Sequence, residues 1–468
     1  MIKPFAHQII SLKHNDKNPI VFDTSDPGTG KTYVRIMAFA KRRAKGGGCL
    51  VVLAPRSLLR SVWLADIKKF APHLTVAIAN ASNRKAAFNE VVDVYVTNLD
   101  AAKWLAAQKP VFFKRFGKDP ELDIDESTAY KHHTSQRSMA VAKIRRYFTF
   151  VCLMTGTPNS NSITDVWHQA MILDGGQRLG NSFYKFRESV CTPQQVGRSA
   201  HAIKWHDRDG AEEAVFGLLS DIVIRHRFDD CVDIPPNHQY TMDYEMTPKQ
   251  LTAYRTLEDT QMLWLGKQKA ALLAINAAAV RTKLLQIASG AVYDGTGGYV
   301  MIDAGRYEMV LDLVEQRKHS LVMFLWKHQR DLMIAEAEKR GVRYCVIDGG
   351  TSDRDRNELV QGYQAGVYQV MFGHPASIAH GLTLTRGTAT IWPSPTDNLE
   401  WFVQGSKRQH RISQTQKTET VVIIAKGTFD EDAWANLSGK DARMKNLLSL
   451  FDMTAGHMRK QKKILDAA

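Results

Sequence analysis

A seven-residue stretch, Asp26-Pro27-Gly28-Thr29-Gly30-Lys31-Thr32, lies between the short apolar run Ile20 to Asp23 and the helix-patterned run Tyr33 to Arg43. Few local patterns restrict a fold as much. Two glycines let the backbone turn its N–H groups inward, and a helix starting directly afterwards presents unpaired amides and the positive end of its dipole. Such a turn is an anion site, and Lys31 adds a charge that reaches the β and γ oxygens of a nucleotide. The Thr32 hydroxyl is placed to ligate Mg²⁺. Gly28, Thr29, Gly30, Lys31 and Thr32 are therefore the expected phosphate-binding residues, although the strict pattern has glycine where Ser25 stands.

Strand, loop and helix in this order open a parallel α/β sheet. Further β-branched and apolar runs follow at Leu50 to Pro55, Val94 to Leu99, Leu122 to Glu126 and Val151 to Gly156. A second set occupies Leu321 to Leu325, Arg343 to Ile347, Gln369 to Phe372, Ala389 to Trp392 and Thr420 to Ile424. Residues from about 160 to 290 read mainly as helix, and the glycine-rich Gly290 to Gly298 is the best linker. The expectation is two α/β lobes, residues 1–295 with a helical insertion at about 160–290, and residues 296–468 ending in the basic tail Arg459 to Lys463.

With 468 residues, 44% apolar and 24% charged, the chain has core enough for two domains. The net charge of +14 favours a polyanionic partner. No apolar stretch approaches the ~20 residues of a membrane helix, and the opening residues lack a signal-peptide core. Five widely spaced cysteines without a Cys-x-x-Cys pair suit a reducing cytoplasm.

Leu122-Asp123-Ile124-Asp125-Glu126 is an apolar-flanked strand ending in two carboxylates. Alone it reads equally as a pair of solvated acids. Downstream of a phosphate loop, Asp125 becomes a metal ligand and Glu126 the base for an attacking water. In the second half, Arg408 and Arg411 stand three residues apart in Gln404 to Arg411, on one face if that segment is helical. A basic face is usually solvated. A guanidinium of this kind can also stabilise a phosphoryl-transfer transition state. Trp63, Trp167, Trp326 and Trp401 fit core packing better than base stacking, and Lys41-Arg42-Arg43 and Arg145-Arg146 are solvated faces or phosphate contacts.

At this point the sequence resembles the Swi/Snf-like branch of superfamily-two helicases and translocases, especially its short phage-type members. Pro4 to Gln8 is similar to the adenine-reading Q motif, with Gln8 as reader, and Asp26 to Thr32 to motif I. Val52 to Trp63 resembles motif Ia, Thr97 to Leu99 motif Ib, Asp125 to Lys131 motif II and Thr155 to Pro158 motif III. In the second half Phe324 to His328 resembles motif IV, Gly373 to Leu382 motif V with Gly381 near the nucleotide, and Gln404 to Gln414 motif VI. The resemblance implies two RecA-like parallel-sheet lobes, a tandem P-loop NTPase, with ATP and Mg²⁺ in use and Glu126, Arg408 and Arg411 catalytic. Thr128 departs from the family's usual histidine, so any link from motif II to motif III must be made differently or be absent.

The leading expectation is an ATP-driven motor on double-stranded DNA, monomeric, without membrane contact, acting in the cytoplasm and consistent with a phage origin. The competing readings are an RNA-directed helicase of the same superfamily and a nucleic-acid-binding scaffold with a decayed ATPase. The presence of Lys31, Asp125, Glu126, Arg408 and Arg411 argues against decay.

Overall fold

The computed structural model describes residues 3–195, 203–231, 233–265, 270–294, 297–378, 382–411 and 413–444. The chain divides into two compact units. The first gathers the described residues of Met1–Thr192, His206–Asp233 and Lys440–Ala468, the second those of Pro193–Trp205 and Ile234–Gly439.

The first unit is built on β1 (Ile20–Asp23), β2 (Leu50–Ala54), β3 (Val76–Ala79), β4 (Val94–Asn98), β5 (Glu121–Asp125), β6 (Phe150–Met154) and β7 (Val223–Ile224). Their order in the sheet is β3-β4-β2-β5-β6-β1-β7, with every neighbour parallel. Its helices include α1 (Ala6–Lys17), α2 (Lys31–Arg43) and α3 (Asp165–Asp174). All five residues of β2 are buried, as a strand covered on both faces requires. Ile36 and Phe39 of α2 pack with Val52, Val96, Trp63 and Met154 in one core.

Strand β5 alternates apolar and acidic residues, and all five are buried. Burial of Glu121 and Asp123 is tolerable because α2 supplies cations against them. Arg35 bonds Asp123 at 2.7 Å and Glu121 at 3.0 Å, and Arg42 bonds Glu121 at 2.6 Å. Asn15 of α1 accepts a further bond from Arg35. The cluster Lys41 to Arg43 is thereby consumed within the fold, since Lys41 also pairs with Asp16 and Arg43 with Asp93.

The second unit carries β8 (Asn237–Tyr244), β9 (Ser320–Met323), β10 (Tyr344–Ile347), β11 (Val370–Gly373), β12 (Ala389–Trp392) and β13 (Thr418–Ala425), in the order β8-β13-β12-β9-β11-β10, again all parallel. Its helices include α4 (Pro248–Leu265), α5 (Ala270–Ala288), α6 (Gly305–Glu315), α7 (Lys327–Arg340), α8 (Asp353–Ala365) and α9 (Leu399–Ser406). Tyr254 of α4 and Leu284 and Ile287 of α5 share a core with Tyr307, Val310 and Phe324.

These contacts move two boundaries. Because α4 buries Tyr254 and α5 buries Leu284 and Ile287 in the core of the second sheet, the units part near residue 233, well before the glycine-rich stretch. That stretch is a hairpin of Ala291–Tyr293 against Tyr299–Met301 and not a linker. Gly290 belongs to its base, with φ +100° and no room for a Cβ against Asp303 O. The segment expected to be mainly helical also holds β7, β8 and a two-stranded sheet of Cys191–Gln195 with Ile203–Asp207. No helix among the described residues is long and apolar enough to cross a membrane. The basic tail Arg459 to Lys463 lies outside the described residues.

Candidate nucleotide site

Strand β1 ends in the buried Asp23, and the chain then turns through Thr24 to Gly30 before α2 begins at Lys31. Gly28 and Gly30 have φ of +93° and +84°. Both are fixed by packing as well as by conformation: a Cβ at Gly30 would fall 2.4 Å from Gln8 Nε2, and one at Gly28 would fall 2.9 Å from the Phe228 ring. Lys31 Nζ donates to Ser25 O at 2.7 Å and Asp26 O at 3.1 Å, which holds the ammonium within the loop. Thr29 Oγ1 donates to Asp26 O, while Gln8 Nε2 and His7 Nε2 both reach Thr29 O. The Gln8 carbonyl oxygen accepts from Phe5 N–H, so α1 is fastened to the loop by its first turn. Thr32 lies in the first turn of α2, and its hydroxyl makes no hydrogen bond among the described residues.

The outer wall of the loop comes from the chain around β7. Arg225 Nη1 pairs with Asp26 Oδ1 at 2.7 Å and donates to Thr24 O at 2.6 Å. Phe228 N–H donates to Asp26 Oδ2, and His226 N–H donates to Ser25 Oγ at 3.1 Å. Ser25 thus replaces the consensus glycine without strain: its φ is not positive, and its hydroxyl accepts a bond the glycine could not.

Asp125 ends β5. In the sheet β5 and β1 flank β6, so Asp125, the loop, and the segment Thr155 to Asn159 that follows β6 lie along one edge at the carboxyl ends of the strands, where α/β sheets bind ligands. Gly156 touches the loop: a Cβ there would lie 2.9 Å from Pro27 Cδ. Trp63, fully buried, donates its indole N–H to Asp125 Oδ2 at 3.0 Å and fixes that carboxylate. Glu126 has φ +55°, one of two non-glycine residues with positive φ among those described. A left-handed glutamate stores backbone strain where the motif changes from strand to turn, a common mark of a working site. Thr157 Oγ1 and Asn159 Oδ1 are buried without a hydrogen-bond partner, polar atoms available to a ligand.

Below this edge Lys131 Nζ reaches Ser160 Oγ at 2.7 Å and Asp165 Oδ2 at 3.3 Å, and Ser127 Oγ donates to Gln169 Oε1. His168 Nδ1 donates to Tyr130 O at 2.6 Å, and burial pushes its pKa down to about 4. His133 stacks on Phe183 at 4.1 Å and meets Trp167 edge-on.

Residues 6–289 match the SNF2-related domain and residues 305–413 the helicase conserved C-terminal domain. The chain belongs to the SNF2-related family. It is 27% identical to the putative protein p41 of Acyrthosiphon pisum secondary endosymbiont phage 1, covering 94% of this chain and 96% of that one. It is 24% identical to the ISWI chromatin-remodeling complex ATPase CHR11 of Arabidopsis thaliana over 90% of this chain, but it spans only 40% of that relative. Among solved structures, the Sulfolobus solfataricus SWI2/SNF2 ATPase core in complex with dsDNA aligns at 19% identity with a TM-score of 0.44, covering 98% of this chain and 97% of the other. As an SNF2-related protein the chain is an ATP hydrolase of the helicase and translocase type.

The SNF2-related resemblance leaves Thr128 as the departure in motif II, and the fold answers it. Thr128 Oγ1 and Thr155 Oγ1 hydrogen-bond at 2.8 Å, so the link to motif III is made between hydroxyls.

In the second unit the arginines do not share a helical face. Helix α9 stops at Ser406 and the chain passes into turns through Arg411. The last bonds tighten, with Arg408 N–H on Gly405 O, while Gln409 is drawn away by Tyr363 and Thr390. Arg408 is buried and donates to Gln404 O and Leu382 O. Arg411 is half-buried, with Nε on Lys407 O. Gly381 lies outside the described residues. Arg225, His226 and Phe228 escaped sequence reasoning: they sit about two hundred residues from the loop they hold, in no pattern of their own. The only local signal was Val223 and Ile224 ahead of a charged Arg225.

Proposed function

We propose that this chain is a monomeric motor that couples ATP hydrolysis to translocation on double-stranded DNA, acting in the cytoplasm, and that it is phage-encoded like its relative p41. The observation that carries the reading is the convergence of the phosphate loop, Asp125 with Glu126, and Gly156 on one sheet edge. The loop amides and Lys31 bind the β and γ phosphates of ATP, and Gln8 selects adenine. Thr32, whose hydroxyl is uncommitted, and Asp125, held by Trp63, suit a Mg²⁺ ion, which would offset phosphate charge. Glu126 accepts the proton of the attacking water. In the second unit Arg411, Arg408 and Gly381 are the further candidates, Arg411 to offset phosphate charge in the transition state and Arg408 to hold the turn that carries it. The net charge of +14 supports a grip on backbone phosphates, and the chromatin-remodelling relatives support DNA over RNA.

The test is phosphate release measured with duplex DNA, single-stranded DNA and RNA. Stimulation by duplex DNA is expected. Stimulation by RNA alone would give the role to an RNA helicase, and no stimulation by any of them would leave a scaffold. Displacement of a triplex-forming strand without unwinding of a forked duplex then separates translocation from strand separation.

A further inference from the structure

All strands of the second sheet are parallel, so their amino ends share one edge, opposite the carboxyl ends of β9 and β11 that lead into motifs IV and V. The turns entering β9, β10, β11 and β12 border an open cleft of about 480 Å³ there. Its lining includes Arg317, Lys318, His319, Arg343, Gln369 and Arg386, with Glu315 at the rim. The walls are tied to one another: Ser320 N–H donates to Gln369 O, Gln369 N–H to Arg343 O at 2.7 Å, and Thr388 N–H to His319 O. His319 Nδ1 donates to Tyr368 O, and Gln369 Oε1 accepts from Arg343 N–H, which leaves His319 Nε2 and the Gln369 amide nitrogen for other partners.

The charges within the cleft do not cancel. Glu315 is taken by Arg340, and Arg317 is taken by Glu419 and Tyr240. Lys318, Arg343 and Arg386 remain, and none has a carboxylate within 4.0 Å or a side-chain hydrogen bond among the described residues.

Basic residues after helices usually offset the negative helix end. Here other groups do that work. Arg317 Nη1 bonds Leu313 O of α6 at 2.8 Å, Gly341 and Val342 N–H cap α7, and Gly366 and Val367 N–H cap α8. Arg386 is also seated: a Cβ at Gly366, whose φ is +84°, would lie 3.0 Å from its Nη2, so the guanidinium rests on bare backbone. Like charges gathered around a rigid polar cleft raise the local potential for anions. Guanidinium forks match phosphate oxygens, and an ammonium adds a point charge.

We propose that this cleft is a second phosphate-binding site, separate from the nucleotide site and not required by the motor reading. Its ligand is a phosphate group, carried either by a free polyphosphate or by a nucleic-acid backbone. The variant Lys318→Gln/Arg343→Gln/Arg386→Gln removes the three charges from exposed side chains and should leave basal ATP hydrolysis unchanged. One arm titrates pyrophosphate into the full chain with ADP saturating the phosphate loop. The other measures duplex affinity against salt. If a free ligand is the occupant, pyrophosphate affinity falls about tenfold or more, as expected for lost charge-assisted bonds, with the salt slope unaltered. If a backbone is the occupant, the log–log slope becomes shallower by about 0.9 per lost contact. Equal pyrophosphate affinity and equal salt slope in the two proteins would overturn the proposal. The pyrophosphate arm uses neither hydrolysis nor DNA, so its result is independent of whether the chain is a motor.

Discussion

The hydroxyls of Thr128 and Thr155 lie 2.8 Å apart, both buried, and Thr155 Oγ1 also accepts the Thr157 N–H. The turn after β5 is thereby coupled to the segment whose Gly156 rests on Pro27. In Thr128→Val the shape is kept and the bond lost, so a stability loss of about 1 kcal/mol is expected, with DNA stimulation of the ATPase reduced far more than the basal rate. Thr155→Val should do the same, and the double variant should be little worse than either. Additive losses in that cycle would show that the two residues act separately.

Lys31→Ala should abolish hydrolysis yet keep most DNA affinity, because the lysine serves the loop, whereas the proposed grip on DNA would be spread over many cations. Glu126→Gln should bind ATP and turn over very slowly, since an amide cannot take the proton of water. Filter binding of labelled ATP beside phosphate release checks both; near-normal turnover in Glu126→Gln would place the base elsewhere.

Arg225 and Asp26 are largely buried partners, so Arg225→Ala strands the Asp26 carboxylate and loosens the loop. The ATP KM should rise about tenfold or more, in keeping with the cost of breaking such a pair. Arg225→Lys should recover part of that loss. Unchanged KM in the alanine variant would show that the loop holds its shape without the wall.

The two arginines of the second unit should separate in the laboratory. Arg411→Ala is expected to lower turnover about 100-fold or more with an unaltered melting temperature, the signature of a lost arginine finger. Arg408→Ala should lower turnover and also destabilise, because its guanidinium holds Gln404 O and Leu382 O inside the fold. Identical melting and kinetic profiles for the two variants would contradict that division.

Burial pushes His168 down to about 4, below the ordinary 6.5. The unfolded chain therefore binds a proton more readily, and this stability, complete above about pH 6.5, is lost as pH falls towards 4. At pH 5 the loss is ~2 kcal/mol. Urea unfolding at pH 7.5 and pH 5 should show a smaller fall in His168→Gln by that amount; parallel curves would place the titration elsewhere.

The loop and β5 were readable because their chemistry is local: glycine, lysine and paired carboxylates stand next to one another in the chain. The central strands were readable because burial on both faces leaves an apolar run, as in Leu50–Ala54. Strand β8 was not, since Asn237–Tyr244 is a mostly exposed edge strand in which only Met242 and Tyr244 turn apolar surface to the core. Arg408 and Arg411 looked helical because spacing cannot reveal that Gln409 is pulled away by Tyr363, nor that Gly405 is packed against Met323 and Trp392. The wall of Arg225, His226 and Phe228 exists only once β7 has paired with β1, so no window of sequence contains it.

The charge lattice beneath the site sets its dimensions. Arg35 and Arg42 bolt α2, which begins at Lys31, to β5, which ends at Asp125. The spacing between Thr32 and Asp125 is thus dictated one layer below, by residues that touch no substrate. Glu121, Asp123, Arg35 and Arg42 form an interlocking set: exchanging one member leaves a buried charge without its complement. A phosphate loop transplanted from a relative would need this whole foundation carried with it to keep its two halves in step.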